Sequence, residues 1–179
     1  MGIAWVDRWQ NFASQKSRDF AIAIAVCGAL AMVSVADPIP RLIWNASASA
    51  PIGLYWLSMD RGLERGELVL VWLPQKARKL AAERLYLPYN TPALKRVAAL
   101  PGDRVCATDR AVFVNEILAA TVLSSDRAGR VLTSWVGCVT LSVDQVFLLN
   151  PDSSGSFDGR YFGPSEQHDI VGRLVGIWV

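Results

Sequence analysis

From Phe20 to Ala36 the chain reads FAIAIAVCGALAMVSVA, seventeen positions with no charge and no polar face. A helix of that length reaches roughly 25 Å at 1.5 Å per residue, near the lower limit for crossing the apolar core of a bilayer. Beyond it the pattern changes to short apolar runs with turn punctuation. ELVLVWL (Glu67 to Leu73) follows Arg65-Gly66, and LKRVAAL (Leu94 to Leu100) stops at Pro101-Gly102-Asp103. AVFVNEIL (Ala111 to Leu118), QVFLL (Gln145 to Leu149) and IVGRLVGIWV (Ile170 to Val179) are rich in β-branched and aromatic residues, so all five runs read as strands. Only QKARKLAAERLYL, Gln75 to Leu87, has helical composition, and Pro88 and Pro92 close it off. Leu118 to Trp135, with Ser124-Ser125-Asp126 and Ala128-Gly129-Arg130, reads as a turn-rich excursion. The pattern predicts a mostly β fold with one N-terminal transmembrane helix and a short helical insert.

A chain of 179 residues is about one domain with appendages. Its 52% hydrophobic share is high for a soluble chain, and the Phe20 to Ala36 run accounts for much of the excess. Arg8, Lys16 and Arg18 precede that run, whereas the first basic residue after it is Arg41. The positive-inside bias therefore assigns residues 1–19 to the cytoplasm, 20–36 to the membrane and 37–179 to the periplasm or exterior, with Trp5, Trp9 and Trp44 at the interfaces. Small residues at Ser34-Val35-Ala36 also fit a cleaved secretory signal, but the run is longer than the usual signal core, which favours an anchor. A buried core helix is the third reading; with no polar face it needs burial all round, more than so small a domain supplies.

Net charge is +2, and basic and acidic residues are interspersed without a basic stripe, which excludes a nucleic-acid partner. Cys27 lies in the apolar run, so Cys106 and Cys138 are the pair left to form a disulfide in an oxidising compartment. Two cysteines and the single histidine, His168, do not make a zinc site, and no metal or cofactor is expected.

For nucleophilic chemistry, His168 with Asp158 or Asp169 permits one triad in principle, but no G-x-S-x-G elbow accompanies it. A serine is also activated by a lysine whose amine is neutral because it is desolvated. Lys95 suits that role. Alternation on a strand puts it on one face with Val97 and Ala99 while Arg96 shares the other with Leu94 and Ala98, and burial among small apolar side chains lowers a lysine pKa. A solvated Lys-Arg pair at a strand edge is the ordinary alternative.

LKRVAALPGDRV (Leu94 to Val105) resembles the lysine-bearing motif of type I signal peptidases, a KR pair followed by a strand and LPGD. RGELVLVWLP (Arg65 to Pro74), SFDGRYFG (Ser156 to Gly163) and IVGRLVGIW resemble three further motifs of that family in the same order. NASASAPIGLYW (Asn45 to Trp56) departs from the family's usual Ser-Met-x-Pro, because the position three before proline is Ala48; it is similar instead to the Ser-x-Pro-x-Gly-Leu-Tyr after an Asn of the conjugative-transfer, TraF-type branch. The helical insert before the lysine matches that branch as well.

The resemblance implies a signal-peptidase-like β-fold and a membrane-anchored serine endopeptidase with a Ser-Lys dyad. Ser49 would be the nucleophile, Lys95 its base, and the Ser47 hydroxyl with the Ser49 N–H the oxyanion donors. Ser156 would orient the Lys95 amine, and Asp158 and Arg160 would hold that region as a charge-assisted pair, with Asp158 either structural or catalytic. Pro51 restrains Ala50 and is expected to hold Ser49 extended. The partners implied are the lipid bilayer and a membrane-associated precursor polypeptide cut after small residues, a conjugative pilin precursor in the first instance. A general type I signal peptidase for exported preproteins, and a non-catalytic β-domain scaffolding a transfer channel, are the alternatives.

Overall fold

The computed structural model describes residues 18–29, 40–60 and 62–179. The chain divides into two units, Met1–Pro40 and Arg41–Val179. In the first, residues 18–29 are helical, with Phe20, Ile22, Ile24 and Val26 exposed; the expected span continues to Ala36, and its residues 30–36 lie outside the described ones. Among the described residues no helix is long and apolar enough to cross a membrane.

The second unit is built from two antiparallel sheets. The larger has seven strands in the order β1-β2-β11-β3-β4-β9-β10, where β1 is Leu42–Asn45, β2 Gly53–Ser58, β3 Leu68–Val71, β4 Ala93–Ala99, β9 Gln145–Leu149, β10 Ser165–Glu166 and β11 Ile170–Trp178. The smaller has the order β7-β6-β5-β8, from β5 Arg104–Ala107, β6 Ala111–Val114, β7 Ile117–Thr121 and β8 Gly137–Thr140.

β3 explains why its sequence is a continuous apolar run. It is the central strand of the large sheet, and both of its faces are covered: Leu68 and Leu70 pack with Tyr55, Leu57 and Leu174, while Val69 and Val71 pack with Val97, Val146 and Leu148. β4 alternates instead, with Ala93, Lys95, Val97 and Ala99 buried and the residues between them half-buried. Ala99, Phe147 and Leu149 of the large sheet join Val105, Ala107, Val112 and Ala120 of the small one in a shared core. The helix Gln75–Glu83 covers a separate cluster through Ala77 and Ala81, which meet Leu73 and Ala93.

A tight turn ends the lysine strand. Gly102, at φ 88°, occupies the left-handed corner of the Leu100–Asp103 turn, closed by the Asp103 N–H donating to the Leu100 carbonyl at 3.0 Å. The Asp103 carboxylate then accepts from the Leu100 N–H at 2.8 Å, the Asn115 side chain at 2.8 Å and the Arg65 guanidinium. Ala111 to Leu118, expected as a single strand, is instead a hairpin: Asn115 and Glu116 both have positive φ, 48° and 70°, and make the two-residue turn between β6 and β7. The excursion expected from Leu118 likewise begins as a strand, since β7 runs to Thr121.

Cys106 and Cys138 face each other across the β5–β8 pair and are joined by a disulfide, 32 residues apart. A closed loop of that length removes about 3 to 4 kcal/mol worth of disorder from the unfolded chain. The bridge ties β8 to the small sheet that buttresses β4 and β9. Cys27 is exposed and has no disulfide partner.

Candidate active site

The SASA stretch forms the connection between β1 and β2. Those strands pair from Leu42↔Trp56 to Asn45↔Gly53, so residues 46–52 close the hairpin. Ser49 lies in a turn: the Ala50 N–H donates to the Ser47 carbonyl at 3.4 Å. This corrects the expectation of an extended Ser49, because the restraint imposed by Pro51 reaches only Ala50 and the turn closes ahead of it. Ser47 Oγ and Ser49 Oγ are 2.9 Å apart, and the Ser49 N–H points to Ser47 Oγ at 3.3 Å.

Lys95 is opposite Val69 in the β3–β4 register and is 4% exposed. Its amine donates to Ser156 Oγ at 2.8 Å. Burial lowers the Lys95 pKa, the negative charge of Asp158 opposes that and the positive charge of Arg160 adds to it, and the balance stands at about 8. A surface lysine near 10.5 is almost never neutral at pH 8; this one is about half neutral there.

Ser156 is held by the loop that follows β9. Arg160 and Asp158, 1% and 0% exposed, form a two-pronged pair, with Arg160 Nε and a terminal nitrogen each 2.8 Å from a carboxylate oxygen. The same guanidinium donates to the carbonyls of Asn150, Ser153, Ser154 and Thr121, which folds residues 150–154 around it. Asp158 also accepts the Asn150 N–H at 3.0 Å, and the Asn150 side chain donates to the Leu94 carbonyl at 3.0 Å, one residue before the lysine. The loop is thereby fastened to the strand that carries Lys95.

A recess of about 150 Å³ opens between the Ser49 turn and this loop, walled by Ala48, Ser49 and Ala50 on one side and by Arg96, Asp152 and Ser153 on the other. The residues singled out from the sequence thus gather in three contacts: Ser47 with Ser49, Lys95 with Ser156, and Asp158 with Arg160. Ser49 and Lys95 are not hydrogen-bonded to each other, since each has a serine hydroxyl as its partner. His168 is exposed beside Asp169 on the short turn Gln167–Asp169 and bonds no serine among the described residues. Among the described residues no group of three His, Cys, Asp or Glu is placed to hold a metal ion.

Two contributors were given no role from the sequence, although Asn45 opens the serine motif. Asn45 and Asn150 both act through side-chain amides bonded to backbone, and no spacing rule marks an asparagine that does this.

The model of the family "Signal peptidase, peptidase S26" matches residues 15–179. A plasmid transfer protein TraF from Escherichia coli is 36% identical over 137 residues, covering 71% of this chain and 77% of that protein. A conjugal transfer protein TraF from Agrobacterium fabrum is 33% identical over 138 residues, covering 72% of this chain and 77% of that one. The solved signal peptidase I of Enterococcus faecalis matches with a TM-score of 0.40 and 19% identity, over 66% of this chain and 100% of its own. The family match spans both the serine turn and the lysine strand: the chain belongs to the signal peptidase family, peptidase S26.

Proposed function

We propose that this protein is a membrane-anchored serine endopeptidase in which Ser49 is the nucleophile and Lys95 its general base, and that it matures a conjugative pilin precursor by cutting after small residues. The observation that carries the reading is the buried lysine with its pKa near 8 and a serine hydroxyl aligning its amine. For reaction, the Ser49 hydroxyl turns from Ser47 towards Lys95. The neutral amine takes its proton as Ser49 Oγ bonds the scissile carbonyl carbon, and the Ser49 N–H with the Ser47 hydroxyl stabilises the oxyanion. Lys95 returns the proton to the leaving amine, and water, activated by the same amine, resolves the acyl-enzyme. The small recess walled by Ala48 and Ala50 suits alanine-sized side chains before the cut.

The cleavage rate is expected to rise with pH, with a midpoint near 8, because the working form of Lys95 is the deprotonated one. Ser156→Ala removes the acceptor of the buried ammonium, so the midpoint should move lower and the rate should fall about tenfold or more. A flat profile between pH 6 and 9 would argue against a lysine base.

The same proposal places Phe20 to Ala36 across the inner membrane, the N-terminus in the cytoplasm and the peptidase domain in the periplasm. In support, Leu42, Trp56 and Val175 are paired across β1, β2 and β11 and all exposed, and Trp44 stacks on Trp178 with ring centres 6.0 Å apart. This apolar sheet face flanks the Ser49 hairpin and would rest at the bilayer surface. Protease added to spheroplasts should digest the domain; full protection would place it in the cytoplasm instead.

Relatives that carry the TraF name support a dedicated substrate over general secretion. Co-expression with a pilin precursor should yield the shortened product. Rescue of cells depleted of their housekeeping signal peptidase, with the pilin uncut, would instead identify a general signal peptidase.

A further inference from the structure

The turn that carries Ser49 has little apolar anchorage of its own: Ala46, Ser47 and Ala48 are exposed, and Ser49 and Ala50 are only half-buried. Most of its side-chain ties come from one residue. Asn45, the last residue of β1 and 5% exposed, donates through Nδ2 to the carbonyls of Ser47 at 3.0 Å, Ala50 at 3.1 Å and Pro51 at 2.9 Å. Its Oδ1 accepts the Ser47 N–H at 3.0 Å. The orientation of the amide is unambiguous, since the Nδ2 side meets only acceptors and the Oδ1 side meets a donor. Tyr55, 3% exposed, adds a second tie by donating its hydroxyl to the Pro51 carbonyl at 2.6 Å.

We infer that Asn45 is a positioning residue for the reaction: its amide fixes the Ser47–Pro51 turn so that Ser49 stands at the recess with Ser47 beside it. The inference rests on the proposed role of Ser49. Asparagine is specific here. An aspartate of the same shape keeps the acceptor for the Ser47 N–H but turns the donor into an acceptor facing three carbonyls, and a serine is too short to span them. All of these partners belong to the turn, and none is in contact with Lys95, Ser156, Asp158 or Arg160 through the bonds that hold them. Loss of Asn45 should therefore misplace the nucleophile while leaving the base as it is.

The test uses the full chain in detergent with a fluorogenic peptide carrying alanines before the scissile bond, and compares Asn45→Asp, Asn45→Ser and Tyr55→Phe with Ser49→Ala and Lys95→Ala. Asn45→Asp is expected to lower kcat about a hundredfold with KM within about threefold, since displacement of a reacting group by an ångström costs that much. The pH midpoint should remain that of the unsubstituted protein. Hydrogen exchange of the 46–52 segment should quicken while that of β3 and β4 does not. Tyr55→Phe should show the same signature, more weakly, and carries the test with Asn45→Ser if Asn45→Asp fails to fold. An unchanged kcat, an unchanged exchange rate at the turn, or a loss that follows the folded fraction alone would overturn the inference. Normal cleavage by Ser49→Ala or Lys95→Ala would overturn the dyad itself and is read separately from the exchange data.

Discussion

Ser49→Ala and Lys95→Ala are each expected to abolish precursor cleavage with the domain still folded, a loss of many powers of ten in rate. Lys95→Arg should fail equally, because a guanidinium remains protonated and cannot accept the serine proton. Lys95→Met separates chemistry from stability. A lysine whose folded pKa lies near 8 rather than 10.5 carries a burial cost on the order of 3 kcal/mol below pH 8. That cost fades as pH rises from 8 to 10.5, where the unfolded chain still binds a proton that the folded one has released. Lys95→Met should therefore raise the melting temperature at pH 7 by several degrees while removing activity. Cleavage assays beside thermal melts decide the matter: normal processing by Ser49→Ala would remove Ser49 from the mechanism, whereas a Lys95→Met protein no more stable than the original would show that the amine is better solvated than its burial implies.

The strands that were plain in the sequence are those buried on one or both faces. β3, β4 and β9 announce themselves because apolar side chains dominate any strand inside a sheet with covered faces, whereas β11 is apolar to its end although Val175, Ile177 and Trp178 are exposed. β1 and β2 do not: Leu42, Trp44 and Trp56 are exposed, and the run between the strands is Ala, Ser and Pro, which composition assigns to a linker. The β6–β7 hairpin was hidden for a different reason. Its turn uses Asn115-Glu116 where a glycine would normally mark it, and Asn115 compensates by bonding the Arg104 N–H and the Asp103 carboxylate, a tertiary contact that no local pattern displays. Alternation puts Lys95 on the face of Val97 but leaves a solvated Lys-Arg pair open, and it is the resemblance of LKRVAALPGDRV that made the lysine legible. The hydroxyl partners were less so, since whether Ser49 bonds Ser47 or Lys95 depends on the conformation of a turn, and the motif that contains Asn45 does not say that its amide sets that turn.

Removing Asp158 should damage the fold more than any other substitution at the site. Its carboxylate is fully buried and saturated: it accepts from Arg160 Nε and a terminal Arg160 nitrogen, from the Arg160 N–H at 3.2 Å and from the Asn150 N–H at 3.0 Å. None of those donors is Lys95, whose amine goes to Ser156. These contacts favour a carboxylate that acts on the lysine through charge and through the loop it holds, the structural of its two expected roles. Asp158→Ala leaves the Arg160 guanidinium buried without its counter-ion, at a cost of about 3 to 5 kcal/mol. Asp158→Asn keeps the size and one acceptor, so it should cost less but still loosen the 150–154 loop, which is pinned by the same arginine. Urea unfolding of both variants, followed by cleavage assays under conditions where each is folded, distinguishes the two roles. A structural Asp158 gives a large loss of stability and, in the folded fraction of Asp158→Asn, a rate within about tenfold of the original. A fully stable Asp158→Asn protein with no activity would instead make the carboxylate part of the chemistry.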